Sequence, residues 1–193
     1  MLEKILKSKA ETKVLGVVLF SDGLHLREIA RRAGVSPYEA KRELDNLLGI
    51  GVLEKKPIGG QVHFYLKSAC PFITELKGLY MKTDGIFAII KKHLFKLGLK
   101  YAVVYGSTAK GEFQEKSDVD LLLIGDVDEF ELDAIMLKIQ KETGREVNYI
   151  LWKESELRKK IKEKGAFINS VIKNPKIMII GDEHEFVRPR KKR

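Results

Sequence analysis

Cysteine occurs once in the 193 residues, at Cys70. A lone thiol excludes an internal disulfide and any multi-cysteine zinc site, and it is the usage expected of a reducing, cytoplasmic compartment. No apolar run approaches the roughly 20 residues needed to span a bilayer, so no membrane partner is expected. The opening residues, Met1-Leu2-Glu3-Lys4, lack the apolar core and small-residue cleavage pattern of a secretory signal. His25 and His63 stand apart in the sequence, which does not suggest a metal site. No internal repeat is present.

What is present is a hydrophobic content of 44%, enough for packed cores, and a net charge of +9. The charge is unevenly spread. Residues 1–70 hold 12 basic and 8 acidic side chains, and the last six residues, from Arg188, hold five basic groups and no acid. Residues 71–187 balance to zero. Positive charge collected at one end of the chain and in a tail favours nucleic acid as a partner. A solubilising end is the alternative reading of the tail.

The first 67 residues read as three helices followed by a hairpin. Ser8 suits an N-cap for a helix carrying Val14, Leu15, Val18 and Leu19, ending near Ser21-Asp22-Gly23. A second helix covers Leu26–Arg32, with Leu26, Ile29 and Ala30 at helical spacing and Gly34 beyond its end. Ser36, Pro37 and Glu39 mark the start of a third, with Ala40, Leu44, Leu47 and Leu48 on its apolar face. Val52–Lys56 and Gln61–Leu66 alternate like strands around Pro57-Ile58-Gly59-Gly60. Helix, turn, helix and basic hairpin make the layout of a winged helix-turn-helix. In such a module the third helix enters the major groove and the hairpin touches the backbone. That makes Ser36, Tyr38, Lys41, Arg42, Lys55 and Lys56 the DNA-binding candidates, with Arg31, Arg32 and His63 nearby. A protein-interaction module whose charges merely solvate its helices is the alternative.

Residues 68–85 mix Pro71, Lys77, Tyr80 and Lys82 with apolar side chains, as in an ordered connector. A helix is predicted over 86–97, ended by Gly98. From there strand and helix alternate: strands at Tyr101–Tyr105, Asp118–Ile124, Glu146–Trp152 and Ile177–Ile180, and helices at 130–142 and within 154–173. The predicted class is α+β, an N-terminal winged helix-turn-helix (1–67) and a C-terminal mixed α/β domain (86–182), with a basic tail over 183–193.

The chemistry-bearing stretch is Tyr105-Gly106-Ser107-Thr108-Ala109-Lys110-Gly111, followed by Ser117-Asp118-Val119-Asp120. A Gly-Ser turn at a strand's end presents backbone N–H groups and a hydroxyl to an anion, and Gly106 lets a phosphate approach where a Cβ would intrude. Asp118 and Asp120 occupy alternate positions of one strand, so both carboxylates leave the same face, with Cα atoms roughly 6–7 Å apart. Two acids beginning an otherwise apolar strand are costly unless exposed, paired or metal-bound. Taken with a Gly-Ser ten residues upstream, they point to metal-nucleotide binding.

These motifs resemble the minimal nucleotidyltransferases of the DNA polymerase β superfamily over about residues 86–181. The resemblance implies that Gly106 and Ser107 hold the triphosphate of ATP or another NTP and that Asp118 and Asp120 ligate Mg2+. Lys110 is a further candidate for neutralising phosphate, with a solvated surface lysine as the alternative. The family places a third carboxylate in a Gly-Arg-x-Val-Asp pattern as metal ligand and general base, whereas this chain has Gly144-Arg145-Glu146-Val147-Asn148. Asparagine can coordinate a metal but cannot accept a proton. Glu146, two residues earlier, is a candidate substitute and equally a surface partner for Arg145. The whole chain resembles a prokaryotic, often archaeal, group that fuses a winged helix to such a domain, with Pro71–Leu76 and Asn174-Pro175-Lys176 also fitting. The expected protein is a homodimeric DNA-binding regulator whose second domain binds NTP and magnesium and transfers a nucleotidyl group, AMP foremost, to a hydroxyl acceptor. A non-catalytic nucleotide sensor, and an antitoxin-like protein that modifies a partner toxin, are the alternatives.

Overall fold

Ser8 opens the first long helix by accepting a hydrogen bond from the Glu11 N–H at 3.0 Å. In the computed structural model, which describes residues 2–4, 6, 8–111 and 117–187, this helix, α1, runs Lys9–Phe20. A two-residue strand, β1 (Leu24–His25), leads into α2 (Leu26–Ala33). Here His25 is the N-cap, its Nδ1 accepting from the Glu28 N–H. The third helix, α3 (Pro37–Gly49), begins with the complete capping box foreseen in Ser36-Pro37-Tyr38-Glu39: each of Ser36 and Glu39 satisfies the other's backbone N–H. The hairpin is β2 (Leu53–Ile58) and β3 (Gln61–Leu66), turned at Gly59-Gly60, both with positive φ. The β1 strand adds to β3, so the sheet order is β1-β3-β2. Pro57 is tolerated because β2 is an edge.

Val14, Leu15, Val18 and Leu19 of α1 bury against Ile29, Ala30, Ala40, Leu44 and Leu47. Each Val, Leu and Ile side chain among them contributes about 1.5–3 kcal/mol by leaving water. Cys70 lies in the same core, as do the partly buried Ile73, Leu76 and Tyr80. These last three belong to α4 (Ile73–Thr83). The expected connector over 68–85 is therefore part of the first compact unit, Met1–Gly85. The reason is the apolar face of α4, one side of which covers the three-helix core. Gly16 on α1 accommodates it, since a Cβ there would meet the Tyr80 hydroxyl at 2.0 Å.

The second unit spans Ile86–Arg193. It opens with α5 (Ile86–Leu94) and a 3-10 turn, Phe95–Leu97. There follow β4 (Tyr101–Tyr105), α6 (Gly106–Ala109), β5 (Val119–Ile124), α7 (Glu129–Thr143), β6 (Val147–Trp152), α8 (Glu154–Lys162), α9 (Ala166–Lys173), β7 (Ile177–Ile180) and α10 (Glu183–Val187). The four strands are ordered β6-β5-β4-β7, with β5 and β6 parallel and β4 antiparallel to both its neighbours. Leu121, Leu122, Leu123 and Ile124 are all fully buried, as expected for a strand covered on both faces. One face, carrying Tyr101, Val103, Leu122 and Ile124, packs on Leu157, Ile168, Val171 and Phe186. The unit is mixed α and β, as predicted.

Residues 183–187, predicted as the start of the basic tail, instead form a helix of the core. Phe186 is fully buried and meets Tyr101 edge-on at 5.5 Å. The run from Arg188 to Arg193 lies outside the described residues. No helix among the described residues is long and apolar enough to cross a membrane.

Candidate active site

Strand β4 ends at Tyr105, and the chain turns at once through Gly106 (φ +78°) into the single turn of α6. The positive φ is one reason for glycine. The other is space, because a Cβ at this position would lie 2.7 Å from Asp120 Oδ2. A carbon atom and a carboxylate oxygen do not share that distance, so the Asp120 carboxylate can occupy this place only above a glycine. The sequence motif and the acid ten or more residues later are thus one contact.

Asp120 is the second residue of β5 and is paired in register with Tyr105 on one side and Asn148 on the other. Register partners in a sheet project to the same face. Tyr105, Asp120 and Asn148 therefore stand in a row across three strands. Asp118 lies one residue before β5 begins, so the strand is shorter than predicted there. Its carbonyl is anchored nonetheless. Thr108, buried in α6, donates its hydroxyl to Asp118 O at 2.7 Å. This tie holds the Gly-Ser turn and the first aspartate together, a role for Thr108 that nothing in the sequence marks.

Asp118 and Ser107 are exposed, and Asp120 is half-buried. Burial, reinforced by the neighbouring Asp120 charge, raises the Tyr105 phenol above its ordinary value, so it remains a neutral hydroxyl beside the carboxylates. Glu146 is exposed, precedes β6, and accepts through its carbonyl from the Val119 N–H. Arg145 donates to Ser117 O. Among the described residues, no cluster of three acidic, histidine or cysteine side chains is assembled to hold a metal. What is assembled is an aspartate pair at the start of one strand, with Gly106 leaving the room that the Asp120 carboxylate occupies. Two carboxylates, with phosphate oxygens completing the coordination, fit a hard divalent cation such as magnesium.

Beside the motif is a cleft of about 260 Å³, lined by Tyr105, Gly106, Lys110, Phe167, Ser170, Val171, Asn174 and Pro175. The structure thus brings Lys110 to the same hollow as Gly106. Phe167 is fixed by edge-on contacts with Tyr105 and Trp152 at 5.3 and 5.6 Å. Asn174 commits its amide hydrogens to the Ser170 carbonyl and hydroxyl, at 2.9 and 3.0 Å. Its oxygen is the atom available to a ligand. Neither Phe167 nor Asn174 was singled out from sequence as lining the site, because they lie about 60 residues downstream of the motif.

In the first unit, the six DNA-binding candidates have unequal freedom. Tyr38 is 77% exposed, and Lys41 and Lys55 are exposed without ion pairs among the described residues. Ser36 is engaged in its capping box. Arg42 is bound at 2.6 Å to Glu43, which is itself only 2% exposed and also accepts from Ser8 and Asn46. Lys56 bridges to Glu54 at 2.9 Å and lies over the Tyr65 ring.

Comparison with known proteins finds a sequence match within the second unit. Residues 88–178 match the family model described as nucleotidyltransferase domain. Over 87 residues the chain is 29% identical to a putative protein adenylyltransferase of Methanocaldococcus jannaschii, covering 45% of this chain and 85% of that relative. A solved chain described as the crystal structure of a toxin-antitoxin with AMP-PNP is 15% identical, with a TM-score of 0.39, covering 52% of this chain and 80% of the other.

Proposed function

We propose that the nucleotidyltransferase domain over residues 88–178 binds a nucleoside triphosphate with magnesium and transfers its nucleotidyl group, AMP foremost, to a hydroxyl acceptor on a protein. The observation that carries this is the contact between the two halves of the motif, where Gly106 leaves the place that the Asp120 carboxylate fills. The relative named as a protein adenylyltransferase supports AMP and a protein acceptor.

In this reading the Gly106-Ser107 turn and Lys110 hold the triphosphate, while Asp118 and Asp120 hold the cation. A bound divalent cation would offset charge at the α-phosphate and on the departing pyrophosphate. The acceptor oxygen forms a bond to the α-phosphorus, the bond to the pyrophosphate oxygen breaks, and the acceptor's proton passes to a base, either a side chain or water. Asn148, the neighbour of Asp120 in register, cannot take that proton. Glu146 is the remaining carboxylate candidate for that role. Tyr105 and Phe167 form the aromatic side of the cleft that would flank a base.

The absence of a carboxylate at position 148 favours a second reading, a domain that senses nucleotide without turnover. Incubation with α-labelled ATP, magnesium and lysate separates the two. The enzyme reading expects label transfer that Asp118→Ala, Asp120→Ala abolishes. Tight ATP-magnesium binding with no transfer establishes the sensor instead.

For the first unit we propose a winged helix-turn-helix that binds DNA as a homodimer, in the cytoplasm. Three helices with a capped third helix and a basic hairpin support it. Retention on DNA should fall steeply with salt. Salt-independent retention, or none, makes the unit a protein-binding module.

A further inference from the structure

Helices α2 and α3 and the β2–β3 hairpin carry seven cationic side chains, and they divide cleanly. Arg31 and Arg32 are paired with Glu28, Arg42 with Glu43, and Lys56 with Glu54. Arg27, Lys41 and Lys55 make no ion pair or hydrogen bond among the described residues. These three all line one groove of about 590 Å³ between α2, α3 and the hairpin. Its floor is Leu26, Leu48, Val62 and Phe64. Leu26, Leu48 and Phe64 rest on the core of the unit, while Val62 is 46% exposed. Asp45 is the one carboxylate in the lining, and Gln61 and His25 complete it. His25 uses Nδ1 to accept the Glu28 N–H, which leaves its ring hydrogen on Nε2 as a donor.

Three cations against one carboxylate leave the groove with a surplus of positive charge, and an anion that enters it relieves the repulsion. A phosphodiester backbone alone answers the charge but sets a hydrated surface against four apolar side chains. A molecule with a carboxylate at one end and a hydrocarbon or aromatic body answers both, since the body leaves water for the floor while the carboxylate meets the rim. We infer that this groove is a binding site for a small amphipathic carboxylate, with Arg27, Lys41 and Lys55 as the anion-binding rim and Leu26, Leu48, Val62 and Phe64 as the seat of its apolar body. Lys41 and Lys55 are also candidates for DNA contact, so an occupied groove and bound DNA compete for the same cations. The competition rests on the DNA reading; binding of the carboxylate does not.

Isothermal titration of the full chain with decanoate and with phenylpropionate tests the site. The expected result is saturable binding of at least one of them, at one site per chain. Acetate, which lacks the body, and decyltrimethylammonium, which reverses the charge, bind at least tenfold more weakly, a difference of about 1.4 kcal/mol. Lys41→Gln with Lys55→Gln weakens carboxylate binding by a similar factor. Val62→Glu does the same from the floor, at an exposed position that the fold tolerates; circular dichroism reports that each variant is folded. On a DNA-bound sample, the carboxylate that binds lowers retention. The inference is overturned if neither carboxylate binds at millimolar concentration, or if the cationic analogue or the double variant binds as well as the original pair. Loss of DNA retention in the double variant while no carboxylate binds makes the groove a phosphate track alone, which equally overturns it. Carboxylate binding without any DNA retention leaves the site standing and removes only the competition.

Discussion

Replacing Gly106 by alanine separates two effects that the structure superimposes at one residue. The backbone there has φ +78°, a conformation that costs an L side chain about 1–2 kcal/mol. The new Cβ would also stand 2.7 Å from Asp120 Oδ2, where ordinary contact begins near 3.4 Å. The carboxylate, the flexible end of a side chain, must therefore retreat by about 0.7 Å, while metal ligand distances are held within about 0.2 Å. Gly144→Ala provides the control. It has φ +64° at the end of α7, but nothing lies within 4 Å of its added Cβ. Both variants should lose about 1–2 kcal/mol of stability. At about 4–8 °C per kcal/mol for a domain of this size, differential scanning fluorimetry resolves the loss. Only Gly106→Ala should also lose affinity for ATP with manganese or magnesium, by about 10–100-fold, the range seen when the support of a metal ligand is removed. Binding is read by calorimetry, or by manganese paramagnetic resonance. If Gly106→Ala binds metal-ATP like the unaltered protein, or Gly144→Ala weakens it equally, the link between Gly106 and Asp120 is not what shapes the site.

Asn148→Asp places a carboxylate beside Asp120 and should raise label transfer from α-labelled ATP by about 100-fold if a general base is what the domain lacks; unchanged transfer, with binding intact, refutes that account of position 148. Glu154 is held below its ordinary 4.5, at about 2, chiefly by the hydrogen bond from Lys100 and then by that from Arg158. Because its pKa is lowered on folding, the stability it adds is present above pH 4.5 and is lost as pH falls toward 2. The melting temperature of Glu154→Gln should therefore fall less than that of the unaltered protein across this window; parallel curves refute the assignment. Glu43→Ala strips the buried partner of Arg42, Ser8 and Asn46 and should destabilise the first unit by about 2 kcal/mol, read from chemical denaturation. In filter binding at fixed salt, Arg27→Ala should weaken DNA retention more than Lys56→Ala, because Lys56 is already bridged to Glu54; the reverse order shows that existing ion pairs do not limit these side chains.

Much of the local architecture was legible because it is written in local rules. Ser8 and Ser36-Pro37-x-Glu39 announce helix starts through short-range hydrogen bonds, and both caps are built as expected. Gly59-Gly60 allows the positive φ that a tight hairpin turn needs at both positions, and the continuous run Leu121–Ile124 requires cover on both faces. What escaped was long-range. Leu24-His25 is too short to register as a strand, and it forms one only because β3 offers an edge. Helix α4 looked like a connector because its fate depended on whether a core lay beside it, and Phe186 looked like part of a polar tail for the same reason.

The same division runs through the candidate site. Sequence alone determined that a Gly-Ser turn and an Asp-x-Asp pair occur at a spacing suited to phosphate and metal, since both are properties of adjacent residues on a strand and its turn. It also showed that position 148 holds an amide. Tertiary structure decided that Asp120 and Asn148 are neighbours, because β5 and β6, separated in sequence by a helix, pair in parallel with those two residues in register. It decided that Thr108 ties the turn to Asp118, and that Phe167 on α9 and Asn174 at its end line the cleft beside the motif. It also sorted the cations of the first unit into those with a carboxylate at hand and those without. A sequence lists charges, and only the fold sets the distances over which they neutralise one another.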